Sequence, residues 1–93
     1  MNLEIVSPEA KLFSGEVTSV TLPGVYGSFQ ILNHHAPIVS ILGKGVVKIA
    51  APSFKFGKEV KGKFTKVNDQ LYTLAITSGT IEMKDNKVIV LAD

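Results

Sequence analysis

The chain has no cysteine. That removes a disulfide framework, a thiolate metal site and a cysteine nucleophile together, and it leaves packing to hold the fold. Arginine is absent too: all 10 basic residues are lysine, set against 8 acidic ones, for a net charge of +2. Bidentate recognition of phosphate or guanine is chiefly arginine's work, because its planar fork meets two acceptors at once. A nucleic-acid binder starts badly from this composition. No apolar run approaches the roughly 18–20 residues of a membrane-spanning helix. The opening MNLEIVSPEAK lacks the basic start and apolar stretch of a secretory signal. The expectation is therefore neither a membrane-spanning nor a secreted protein.

Helical periodicity is missing beyond a turn or two. What the 93 residues do contain is short runs of Val, Ile, Thr, Phe and Tyr between Gly, Pro, Asn and Asp, the pattern of an all-β protein. With 45% hydrophobic and 19% charged residues the chain reads as one globular domain, 1–93. Strands are expected near Leu3–Val6, Glu16–Leu22, Ser28–Leu32, Ile38–Leu42, Val46–Ala51, Phe54–Phe56, Val60–Val67, Leu71–Ser78, Ile81–Lys84 and Val88–Ala92. About ten strands in so short a chain make a flattened sandwich or barrel. Asp85-Asn86, between two apolar runs, suits a two-residue hairpin turn with positive φ. Pro8 and Pro23 are expected to close strands, since proline cannot donate to a ladder.

Alternation assigns the faces. Val47 and Ile49 point one way and Lys48 the other; Tyr72, Leu74 and Ile76 oppose Thr73 and Thr77. Two runs break this pattern by being apolar on both faces, Val88-Ile89-Val90-Leu91 and Ile38-Val39-Ser40-Ile41-Leu42. Loop cover explains such a strand; so does a partner docked on its outer face. Of Val39 and Ile41, one is expected to face outward.

The stretch Lys55 to Lys66 carries five lysines and one glutamate, with Phe54, Phe56 and Phe64 interleaved. Aromatics among basic residues on a β-surface bind single-stranded nucleic acid by stacking and charge. The plainer reading is a solvated hairpin, its phenylalanines inward and its lysines guarding a sheet edge. The plainer reading is favoured.

No catalytic constellation stands out. His34 and His35 are neighbours on an extended chain and point to opposite faces, so they do not share a metal. Gly43-Lys44-Gly45 lacks the long spacing and following helix of a phosphate loop. There is no G-x-S-x-G nucleophile motif, and the carboxylates are scattered singly. No cofactor, metal or active site is expected. A pocket built from Tyr26, Tyr72 and His35, serving a small hydrolase or a sugar binder, would need those three side chains to converge.

The most distinctive segment is LPGVYGSFQILNHHAPIVSILGKGV, Leu22 to Val46. Pro23, Gly24 and Gly27 make a tight turn bearing Val25 and Tyr26. A short strand carries Phe29 and Ile31, and Asn33-His34-His35-Ala36-Pro37 makes a second rigid turn. Two such turns joined by one strand form an ordered recognition edge.

At this segment the chain resembles the amino-terminal domain of the ε-subunit family of bacterial F-type ATP synthases. The likeness runs through LEIVSP, LFSGEV, LPGVYGSFQILNHHAP, LGKGVVKI and LAITSGTIEMKDNKVIVLAD, and is poor from Ala51 to Asp69. It implies a flattened ten-stranded β-sandwich of the rotor's central stalk, non-catalytic and without cofactor. The partners implied are the γ subunit and the polar loops of the c-ring, at the cytoplasmic face of the bacterial plasma membrane. Such a subunit helps ring and γ turn as one body. Carried over by position, Tyr26, Ser28, His35 and Pro37 would lie towards the c-ring, Ser28 standing where relatives often place an acidic residue. Val39, Ser40 and Ile41 would lie towards γ. Family members usually continue past Leu-Ala-Asp into a helical hairpin, so the resemblance also leads us to expect a short form without it.

Overall fold

Strands form where β-branched and aromatic residues run between turn-formers. They are β1 (Asn2–Val6), β2 (Lys11–Glu16), β3 (Ser19–Gly24), β4 (Gly27–Leu32), β5 (Ile38–Leu42), β6 (Gly45–Ala50), β7 (Phe64–Asn68), β8 (Leu71–Ile76), β9 (Gly79–Lys84) and β10 (Lys87–Ala92). The computed structural model describes residues 1–56 and 61–93, with Lys61 described by its backbone only. Among the described residues there is no helix long and apolar enough to cross a membrane. Lys61–Lys63 form a short 3₁₀ turn ahead of β7.

The strands follow the order β2-β1-β10-β9-β5 in one half of the sheet, and β4-β3-β6-β8-β7 in the other. One residue pair, Gly24 opposite Leu42, joins the two halves. A ladder that narrow lets the sheet fold over on itself, so the halves become the two layers of a sandwich. β1 runs parallel to β10, with Leu3 beside Val88 and Ile5 beside Val90. The remaining pairings are antiparallel.

The inward residues of both layers meet in a single core. Leu3, Ile5, Val88, Val90, Ile81, Met83 and Leu42 come from the first layer; Val20, Leu22, Ile31, Val47 and Ile49 come from the second. Among the described residues no polar or charged side chain is buried. The core therefore rests on apolar burial alone, at about 1.5–3 kcal/mol for each fully covered aliphatic side chain.

Five aromatic rings close one end of the sandwich. Phe13 of β2 and Phe64 of β7 meet Phe54, Phe56 and Tyr72 of β8, with centroids 4.5–6.5 Å apart, and Phe54 stacks on Phe56. These are favourable offset and tilted geometries. Phe54–Phe56, expected as a strand, joins no ladder. Its two rings instead lie over the core, which their neighbours on β2, β7 and β8 complete.

Three further expectations are corrected. First, β2 lies between the strands expected at Leu3–Val6 and Glu16–Leu22. Pairing with β1 supplies what the sequence lacks, and a bulge does the rest. Ile5 faces Phe13 while Val6 faces Lys11, so Leu12 is the extra residue. The bulge lets the adjacent Leu12 and Phe13 both be buried. Second, Glu16–Leu22 is not one strand. The chain crosses between layers at Val17-Thr18, where Val17 N–H donates to the Met1 carbonyl (2.8 Å) and Thr18 N–H to that of Ala50 (2.7 Å). Third, the strand placed at Val60–Val67 begins at Phe64, its residue 60 lying outside the described residues. The Asp85-Asn86 turn does take positive φ, 53° and 60°.

Ile49, fully buried on β6, and its exposed neighbour Lys48 give a paired test. Urea unfolding should show Ile49→Ala costing about 2–5 kcal/mol, and Lys48→Ala no more than about 0.5 kcal/mol.

Candidate protein-docking surface

The β3–β4 hairpin pairs Pro23 with Ser28 and Gly24 with Gly27, leaving Val25-Tyr26 at its tip. Gly27 takes φ 126°, a value closed to other residues, which permits so tight a reversal. Tyr26 is completely exposed and Val25 about half (52%). The tip is nevertheless fastened to the end of β5. Val25 N–H donates to the Ile41 carbonyl (3.3 Å), and Gly43 N–H donates to the Pro23 carbonyl (2.8 Å). Close approach requires glycine here: a Cβ on Gly45 would stand 2.6 Å from Cβ of Pro23.

Beside the tip lies the outer face of the first layer. Val39 and Ile41 are both exposed, at 79% and 63%. One of the pair was expected to face outward; a two-residue period puts residues 39 and 41 on the same face, so both do. Ser40 shares the core-facing parity of Ile38 and Leu42, opposite Ile81, and is half-buried. Its side chain does not join the outer surface. Register extends the outer face across the layer. Ile41 lies opposite Thr80, Thr80 opposite Leu91, and Leu91 beside Val6. In the next row Val39 meets Glu82, which meets Ile89, which lies beside Glu4. The result is an outer face four strands wide, about 15 Å across, on which Val39, Ile41, Ile89, Leu91 and Val6 alternate with Thr80, Glu82 and Glu4. The double-apolar runs on β5 and β10 signalled it. The contribution of Val6 was not readable, because only pairing reveals which strands lie side by side.

The second rigid turn sits at the other end of β4. His34 has a left-handed backbone (φ 62°), and its N–H donates to Oδ1 of Asn86 at 2.8 Å. His35 N–H donates to the Leu32 carbonyl at 3.2 Å. The His35 ring nitrogen Nδ1 lies 2.7 Å from the Ala36 carbonyl. His35 and Pro37 are exposed. Tyr26 and Ser28 are thus separated from His35 and Pro37 by the length of β4, about 20 Å for six residues. The four residues grouped by the resemblance fall into two clusters, and the cluster at the hairpin tip adjoins Ile41.

The other sequence-based sites do not assemble. Phe54, Phe56 and Phe64 turn into the aromatic cluster, so the lysine-rich stretch offers no stacking platform among the described residues. Its Lys58 lies outside those residues. Lys66 pairs with Asp69 at 2.8 Å; the hydrogen bond to Asp69, then its charge, raises the lysine pKa and lowers that of the acid. Both groups are at the surface. Tyr72 sits in the aromatic cluster, away from Tyr26 and His35 on their separate turns. A cavity of about 510 Å³, lined by residues including Ser7, Leu12, Leu74 and Asp93, holds none of the three. Among the described residues no three His, Asp or Glu side chains come together as a metal site.

Gly45→Ala should lower stability by about 1–3 kcal/mol in thermal unfolding, because the new methyl strikes Pro23 and displaces the tip. Gly62→Ala, where an added Cβ meets nothing within 4 Å among the described residues, should stay within about 0.5 kcal/mol.

Comparison with known proteins puts this geometry in a family. The model of the ATP synthase delta/epsilon chain β-sandwich domain matches residues 1–93. An ATP synthase epsilon chain of Leptospira borgpetersenii is 37% identical over 93 residues, all of this chain and 61% of the relative. One from Dehalococcoides mccartyi is 33% identical over the whole chain and 55% of the relative. This chain thus spans a little over half the length of these relatives. Among solved structures, a chain of the Euglena gracilis mitochondrial ATP synthase (OSCP/F1/c-ring) superposes with a TM-score of 0.74 at 16% identity, over 97% of this chain and 48% of that one. A chain of the Tetrahymena thermophila mitochondrial ATP synthase central stalk and c-ring gives 0.69 at 20% identity, over 99% and 62%. These two likenesses establish the fold, and the match along every residue establishes the lineage: the chain belongs to the ATP synthase delta/epsilon β-sandwich family.

Proposed function

We propose that this chain acts as a non-catalytic central-stalk element of an F-type ATP synthase, coupling the γ subunit to the c-ring during proton-driven ATP synthesis. The observation that carries the reading is Val39, Ile41 and Leu91, three large apolar side chains exposed on one face of a sandwich whose core is already complete. Single exposed apolar residues need no explanation, whereas several gathered on one face point to a contact with another protein. The names of the relatives and of the solved assemblies support ATP synthase as the setting.

In this reading Val39 and Ile41 face γ, Ser40 supporting them from the core side of the same strand, while Tyr26, Ser28, His35 and Pro37 face the c-ring. The two clusters of that second group, one at each end of β4, give two points of contact. A body held at two points resists tilting, as a part that transmits torque must. No reaction is performed and no cofactor is held. The subunit stands at the cytoplasmic face of the bacterial plasma membrane, attached through the complex. The reading that uses single-stranded nucleic acid has no supporting observation.

Lysine at an apolar hot spot leaves a charge facing desolvated surface. Ile41→Lys and Val39→Lys should each weaken binding to γ by about tenfold or more, measured by titration onto the γ-containing complex. Both positions are outward, so the thermal midpoint should shift by no more than about 4 °C. Equal loss of folding and binding in both variants would remove the outer-face reading.

A further inference from the structure

The turn Asn33–Pro37 has no packing of its own, since all five residues are exposed. His34 also holds a left-handed backbone (φ 62°), unfavourable for any residue with a Cβ. Among the described residues its hydrogen bonds are few. Two are local: His35 N–H to the Leu32 carbonyl (3.2 Å), and the His35 ring to the Ala36 carbonyl (2.7 Å). The third comes from far along the chain: His34 N–H donates to Oδ1 of Asn86 (2.8 Å), 52 positions away.

Asn86 occupies the second place of the two-residue turn between β9 and β10, at φ 60° after Asp85 at φ 53°. Its own carbonyl accepts the Asn2 N–H at 3.1 Å. The turn itself asks only for positive φ, which glycine meets with less strain. What asparagine adds over glycine is an amide oxygen, and that oxygen receives His34. The residue thus ties three segments: the start of β1 by its backbone, the β9–β10 turn by its conformation, and the β4–β5 turn by its side chain.

We infer that Asn86 is a positioning residue for docking: its side chain latches the β4–β5 turn, so that His35 and Pro37 are presented to the partner in one preset arrangement. This rests on the stalk reading and names what fixes one of its two contact regions. A turn ordered before contact loses less conformational freedom on binding than one that must be ordered by it. In the stalk reading that partner is the c-ring.

The test uses Asn86→Gly and Asn86→Asp in the full-length subunit, added back to ATP synthase membranes stripped of it. Glycine preserves the hairpin turn and deletes only the acceptor; aspartate keeps an acceptor oxygen. For Asn86→Gly the His34 amide should exchange with solvent about tenfold faster, and the half-saturating concentration should rise about fivefold, the equivalent of one neutral hydrogen bond. Its thermal midpoint should stay within about 3 °C of the parent, as the turn is unstrained. Asn86→Asp should return exchange and binding to within about twofold of the parent, which general loosening of the fold would not do. Unchanged exchange in Asn86→Gly overturns the latch. Faster exchange with unchanged half-saturation overturns its role in docking. Ile41→Lys run in parallel separates the two failures. If it binds about tenfold or more weakly while Asn86→Gly binds normally, the latch alone falls; if it too binds as the parent does, the stalk reading falls.

Discussion

The strand ladders of the two layers meet at one residue pair, Gly24 opposite Leu42, and the hairpin tip is built at that corner. Because the ladder there is one residue wide, β3 can pair with β4 and β6 in one layer while β5 pairs with β9 in the other. Gly24 has no room for a side chain, since a Cβ there would stand 2.8 Å from the Gly27 carbonyl and 2.9 Å from the Phe29 ring. The same corner draws the hairpin tip against β5 through Val25 and Ile41. Fold closure and the hairpin-tip part of the candidate surface share one set of contacts.

Much of this was legible in the chain. Period-two alternation placed Val47, Ile49, Leu74 and Ile76 in the core, and Asp85-Asn86 at a hairpin turn, because both signals are local. The apolar-on-both-faces runs at β5 and β10 also pointed outward correctly. What failed was non-local. β2 exists because β1 pairs with it and a bulge buries Leu12 beside Phe13; nothing within KLFSGE announces that. Phe54–Phe56 has a strand's composition, yet its rings are drawn onto the aromatic cluster instead of into a ladder. The layer crossing at Val17-Thr18 is set by carbonyls of Met1 and Ala50, both distant in sequence.

The candidate surface divides in the same way. Val39 and Ile41 could be named from the sequence, but that they continue into Thr80, Leu91 and Val6 depends on strand order. The resemblance grouped Tyr26 with His35 by function, while the backbone holds them at opposite ends of β4. Asn86 carried a turn signal and no hint of His34, since a side-chain bond across 52 positions leaves no local pattern.

An all-apolar core, exposed aliphatic side chains on one face and two ordered turns suit the part proposed above, one that works by being held. The most direct measurement is the proton pumping driven by ATP hydrolysis in membranes whose ATP synthase lacks this subunit, compared with membranes that retain it. A passive coupling element predicts that hydrolysis persists while pumping per ATP falls sharply, and that adding the subunit back restores it. Pumping that stays fully coupled to hydrolysis in its absence would contradict the role.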